Sequence, residues 1–157
     1  MTWADRLFRL AVGDPKREIG ELLQGVQRRT ADQGRRLSAA ADQAPTAGAE
    51  AELRALATEA SMLAAHLAEL LARGGPTAAA PEPTSVLNGA TRNHWARLVA
   101  AMEAGRETRA QLLRATPRLL ELDGSLAALL DESLHRLDAE LAGLRSLIAR
   151  ADPQALD

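Results

Sequence analysis

The chain has no cysteine and no tyrosine, and its aromatic residues, Trp3, Phe8 and Trp95, make up 2% of its 157 positions. The missing cysteines exclude disulfides, thiolate metal sites and cysteine nucleophiles together, and they fit a reducing compartment. With so few aromatics, the core must be built from leucine and alanine, which suits close-packed helices and poorly suits a sheet. Lys16 is the single lysine, and the other cationic side chains are arginine. A net charge of −2 leaves no overall pull on nucleic acid. No run approaches the roughly 18 apolar residues of a membrane helix, so no span is expected. Asp5 among the first residues and the lack of an apolar leader region argue against a signal peptide, and the expected location is cytoplasmic. A phosphate-cradling glycine loop and a nucleophile elbow are also missing.

What the chain does have is hydrophobic residues, 46% of the total, arranged in stripes at helical spacing. Leu56, Ala60, Leu63, Leu67 and Leu70 step by four and three along one side of a helix. In the last segment the seam is Leu126, Leu130, Leu134, Leu137, Leu141, Leu144 and Ile148. Asp14-Pro15 is a helix start, a capping carboxylate followed by a proline whose missing N–H costs nothing. The first long helix is predicted over 15–42, with Ile19, Leu22, Leu23, Val26 and Leu37 inward. Ala44 to Gly48 reads as a loop. The second helix is predicted over 49–73, ended by Gly74-Gly75-Pro76. The stretch from Pro76 to Pro83 reads as extended. Thr84 or Ser85 caps a third helix reaching Ala115, with Thr116-Pro117 opening a new turn. Its stripe is Trp95, Leu98, Met102, Leu112 and Leu113. Asp123-Gly124-Ser125 makes a corner before a fourth helix over 126–151. Short connections favour antiparallel neighbours. The expected fold is therefore all-α, an antiparallel up-and-down four-helix bundle over 14–152 in up-down-up-down order. A short amphipathic helix over 1–13 precedes it, with Trp3, Leu7, Leu10 and Ala11 on one side. That segment either covers one end of the bundle or docks on a partner or an interface.

Three pieces carry a resemblance. Leu56-Ala57-Thr58-Glu59 runs on to Leu67-Ala68-Glu69-Leu70-Leu71-Ala72-Arg73-Gly74-Gly75-Pro76. Leu87-Asn88-Gly89 is followed by Trp95 and Leu98. Glu103-Ala104-Gly105-Arg106-Glu107 forms the third. Together, in this order, they resemble a ferritin-like family of uncharacterised bacterial four-helix bundles, over residues 19 to 150. The resemblance implies a ferritin-like bundle and raises a metal role, with iron or another divalent ion as cofactor. Where it implies acids on the first helix, this chain carries Gln24, Gln27 and Gln33.

A ferritin-like di-iron site needs a Glu from each of two helices and a Glu-x-x-His from each of the other two, all inward. Glu132-Ser133-Leu134-His135 matches that motif, but on a helical wheel Glu132 and His135 lie roughly 150° from the centre of the leucine seam. Glu59 and His66 share a shoulder of the second helix, and Glu103 lies beyond the shoulder of the third. The candidate ligands are thus Glu59, His66, Glu103, Glu132 and His135, too few of them inward for di-iron chemistry.

Polar residues inside the seams stand out more. Thr30 and Gln33 interrupt the first stripe, Arg109 falls in the third with Arg106 at its edge, and Ser133 lies on the inner side of the fourth. These four, Thr30, Gln33, Arg109 and Ser133, suggest a mid-bundle polar layer, what would remain of a metal site now filled by neutral groups and an arginine. The alternative for Arg109 is that its head reaches water.

Phosphotransfer on His66 or His94 lacks the Lys-Gly that such domains usually show after the histidine. Arg28-Arg29 and Arg35-Arg36 read as a solvated basic face, without aromatics to stack bases. The expectation is a non-enzymatic helical-bundle protein acting by self-association, as a homodimer, or by binding a protein partner. The alternative is a degenerate ferritin-like protein with residual metal binding.

Overall fold

A computed structural model describes residues 2–4, 6–7, 13–73 and 93–151. The described residues form an all-helical bundle. Helix α1 spans Pro15–Asp42, α2 Ala47–Arg73, α3 His94–Leu122 and α4 Ala127–Ala151, with a 3₁₀ turn at Gly124–Leu126. The start of α1 is set as expected. Pro15 takes the first helical position and Asp14 Oδ1 accepts from the Lys16 N–H at 3.1 Å. The loop before α2 is shorter than expected, because Thr46 Oγ1 caps the helix by accepting from the Ala49 N–H at 3.1 Å.

Helix α3 differs most from the sequence reading. Its expected start at Thr84 or Ser85 lies outside the described residues. Asn93 is extended and caps α3 by accepting from the Ala96 N–H at 2.8 Å. The helix then runs through Pro117 to Leu122 instead of stopping at Ala115. Proline removes the donor that would meet the carbonyl four residues earlier. That residue is Leu113, which is exposed, so water can serve its carbonyl. Burial of Ala115 and Leu119 holds the last turns in place.

Leucine and alanine fill the core in two clusters. One gathers Leu37, Leu53, Leu98, Met102, Leu144 and Leu147. The other gathers Leu23, Val26, Leu63, Leu67, Leu112 and Leu130. Each fully buried leucine contributes roughly 1.5–3 kcal/mol. Trp95 and Leu113, placed in the third seam by the sequence reading, are instead partly exposed. The true inner stripe of α3 is Leu98, Ala101, Gly105, Thr108, Leu112, Ala115 and Leu119.

Helix α1 packs on α2 and α3, and α4 packs on α3 and α2. Among the described residues α2 and α3 meet only through core side chains and do not lie side by side, which departs from the up-down-up-down order. That order rested on short connections, whereas twenty residues separate Arg73 from His94. A connection of that length does not force neighbours to be adjacent. Across each interface the touching residues follow opposite orders. Glu18 meets Arg118 while Gln33 meets Ala101, and Glu52 meets Arg150 while Glu59 meets Arg136.

Two other expectations meet mixed outcomes. Over Ala47–Ala72 the chain is long and apolar enough to cross a membrane by length and composition, although no unbroken apolar run exists there; the helix is rich in alanine, and its leucine seam is buried in the bundle. At the N-terminus, Trp3, Ala4, Arg6 and Leu7 are helical and exposed. Leu10 and Ala11 lie outside the described residues.

Candidate functional site

Of the polar residues expected inside the bundle, Thr30 and Gln33 fall where the two core clusters meet along the chain, and Ser133 falls within the second cluster. Thr30 and Gln33 lie between Val26 and Leu37, and Ser133 between Leu130 and Leu137; all three are buried. Thr108 and Glu140 join them. Arg109 does not. Its side chain is 38% exposed and its Nε donates to Asp138 Oδ1 at 2.6 Å. Counting Leu113 as inward shifts the stripe one position late. An exposed pair of this kind is worth about 0–1 kcal/mol. Arg109→Met is therefore expected to shift unfolding in urea by less than about 1 kcal/mol; a larger loss would return Arg109 to the interior.

Three members of the layer look after themselves. The hydroxyls of Thr30, Thr108 and Ser133 donate to the carbonyls of Val26, Ala104 and Leu129, at 2.7, 3.0 and 2.7 Å. Each bond closes within one helix turn, which is how such residues are tolerated inside a helix. Gln33 acts between helices. Its Nε2 donates to the Ala101 carbonyl of α3 at 2.8 Å and to Glu140 Oε1 of α4 at 2.6 Å. One amide thus ties three helices.

Gln33 and Glu140 are 3% and 6% exposed. Burial pushes the Glu140 carboxyl above its ordinary value, and the hydrogen bond from Gln33 acts the other way. Gln33 Oε1 is buried and has no partner. Gly105 makes room for the pair. A Cβ there would stand 3.0 Å from Leu141 Cδ2 and 3.5 Å from both Gln33 Nε2 and Glu140 Oε1. The sequence reading missed Glu140 and Thr108. Spacing could have found both: Ser133, Leu137, Glu140 and Leu144 step by four, three and four, and Leu98, Ala101, Gly105, Thr108 and Leu112 step by three, four, three and four.

The metal-ligand candidates are divided. Glu59, Glu132 and His66 come to one surface between α2 and α4, but the cation between the carboxylates is a guanidinium. Arg136 donates to Glu59 Oε2 at 2.8 Å and to Glu132 Oε1 at 3.0 and 3.1 Å. His66 lines the same groove with Glu132 and Arg136. Glu103 and His135 are exposed. Among the described residues no group of three or more acids and histidines is placed to hold a metal ion.

A second feature lies on the opposite side, between α1 and α3. Here a cleft of about 370 Å³ is lined by Arg28, Arg29 and Arg36 at its basic wall and by Gln33, Thr108 and Gln111 at its polar floor. The basic residues read from sequence as a solvated face are thus partly gathered around a concavity: Arg28 and Arg36 are half-buried, Arg29 is exposed, and Arg35 turns to Asp32. Comparison with known proteins finds no matching family model, no matching curated protein and no matching solved structure.

Proposed function

We propose that this chain is a non-enzymatic helical-bundle protein that works by self-association, through the outer face of α3. The observation that carries this reading is a line of exposed apolar residues on that helix. Leu113, Pro117 and Leu120 recur at helical spacing, and the two leucines are 42% and 38% exposed. Apolar residues aligned on one open face suit a contact between copies better than scattered surface leucines do. A two-fold axis would set the stripe against itself and make a homodimer.

The proposed arrangement is antiparallel and ferritin-like, with two helix hairpins joined by one long connection. In that order α1 points up, α2 and α3 down, and α4 up. Two facts support it: the separation of α2 from α3, and the opposite order of touching residues across the interfaces. Ferritin-like folds have one long crossover of this kind. A second reading, residual binding of iron or another divalent metal, is favoured only by the approach of Glu59, His66 and Glu132.

Sedimentation velocity on untagged protein, over a range of concentrations, tests the first reading. The wild type is expected to dimerise, and Leu113→Arg/Leu120→Arg to remain monomeric with unchanged helicity. A wild type that stays monomeric throughout removes the proposal. Stoichiometric metal in the same preparation would favour the second reading.

A further inference from the structure

The exposed stripe on α3 carries charge along one edge, and the order of that charge selects how two copies can meet. At about 100° per residue, Leu113, Pro117 and Leu120 centre on one line of the helix. Arg114 and Glu121 both fall about 70–95° to the same side of that line. They are opposite in sign and seven residues apart, and their side chains are 66% and 67% exposed. Neither is held firmly within its own chain. Arg114 reaches two turns back to Glu107 at 3.2 Å, and a pair so open to water contributes little. Glu121 accepts from Arg118 through Oε2 at 3.1 Å, while the other two nitrogens of Arg118 grip Glu18 of α1. That grip turns Arg118 away from the stripe.

A two-fold axis perpendicular to α3, passing near Pro117, reverses the helix direction and keeps each edge on its own side. Residues whose numbers sum to about 234 then face one another across the axis. Leu113 comes against the partner's Leu120, and on the edge Arg114 comes against the partner's Glu121. Each contact occurs twice, because the same patch is used by both copies. A parallel crossing lacks this match. It sets each edge against the opposite edge of the partner, where Arg109 and Thr116 lie, and Arg114 meets no acid. One helix crossing one helix buries less than a standard interface, so the contact belongs to the weak, reversible class.

We propose that two copies pair through α3 in antiparallel, with Leu113 on the partner's Leu120 and Arg114 leaving Glu107 for the partner's Glu121. This rests on the self-association reading above and adds the orientation and the charge pair that select the partner. Sedimentation velocity at matched concentrations, on untagged protein, tests it by exchanging charges. Arg114→Glu sets acid against acid at both ends of the contact, and Glu121→Arg sets base against base. Each alone is expected to weaken the dimer about tenfold. An equimolar mixture of the two variants should recover association to within about threefold of wild type, because each supplies the charge the other lacks. Glu107→Arg changes the net charge as Glu121→Arg does but lies off the contact, and it should leave the dimer within about threefold of wild type. A wild type that dimerises while the single variants match it, or while their mixture stays apart, overturns the antiparallel pairing and leaves self-association standing. A wild type that stays monomeric overturns both. Unchanged helicity by circular dichroism assigns any loss to the contact.

Discussion

Glu140→Gln is expected to make the protein more stable at neutral pH and to flatten the dependence of its stability on pH. The reason is the company Glu140 keeps. It is buried, its polar partner is the Gln33 amide at 2.6 Å, and burial raises its carboxyl above the ordinary 4.5. A group raised in the folded state holds its proton there at pH values where the unfolded chain has released it. Its contribution is therefore fully present below 4.5 and is lost as pH climbs through the raised folded value. When protonated, the acid can return a hydrogen bond to Gln33 Oε1, which otherwise goes without one. When ionised, it is a buried charge with no cation beside it. Glutamine keeps the shape, carries no charge and offers its own N–H to that oxygen. A gain of about 1–3 kcal/mol is expected at pH 7.5, or several degrees in melting temperature, shrinking toward pH 5. Calorimetry of both proteins across this range checks it. Other groups change both proteins alike. Desolvation and Arg97 hold His94 below its usual range, and arginine partners do the same for the carboxyls of Glu18 and Glu52. These cancel in the difference. Parallel pH curves for the two proteins would show that Glu140 does not titrate in this window.

Leu63→Asp is expected to abolish cooperative folding, while Met62→Asp, one position earlier, leaves the protein folded. Leu63 is 5% exposed and packs with Leu23, Val26, Leu67, Leu112 and Leu130, whereas Met62 is 53% exposed. Removing the leucine forfeits roughly 1.5–3 kcal/mol of burial. The carboxylate put in its place enters an apolar cluster and adds a desolvation cost of several kcal/mol. Their sum competes with the whole stability of a domain, about 5–15 kcal/mol. At position 62 the same carboxylate stays in water, and a change within about 1 kcal/mol is expected. Thermal melts followed by circular dichroism separate the two. A sharp, unshifted transition for Leu63→Asp would contradict the packing of α2.

Much of the architecture was legible because each helix announces itself locally. Asp14 and Pro15 begin α1, and it ends at Asp42 as periodicity required. The seams of α2 and α4 were read nearly as they pack. Thr30, Gln33 and Ser133 were correctly placed inside, since a polar residue in an apolar stripe has nowhere else to point. Where the reading slipped, a local rule met a competing one. Proline at 117 signals a break, yet its freed carbonyl lies on the wet side and the helix continues. Counting Leu113 as core turns Arg109 inward, and that one-position error hides Thr108. Glu140 was passed over because acids are assumed to face water. Only its neighbour on another helix, Gln33, makes its burial tolerable.

Periodicity, caps and composition, all local properties, determined by themselves that this chain is helical, where most helices begin and end, and which side of each turns inward. Which helices touch was decided only in three dimensions. An apolar stripe attracts any other apolar stripe equally, so nothing in it names a neighbour. That choice came from complementary contacts between residues far apart in the chain. Gln33 reaches Ala101 and Glu140, Glu18 takes Arg118, and Arg150 takes Glu52. The same contacts left Arg28 and Arg29 along a cleft rather than in a pair, which no reading of α1 alone could have distinguished from a plain solvated face.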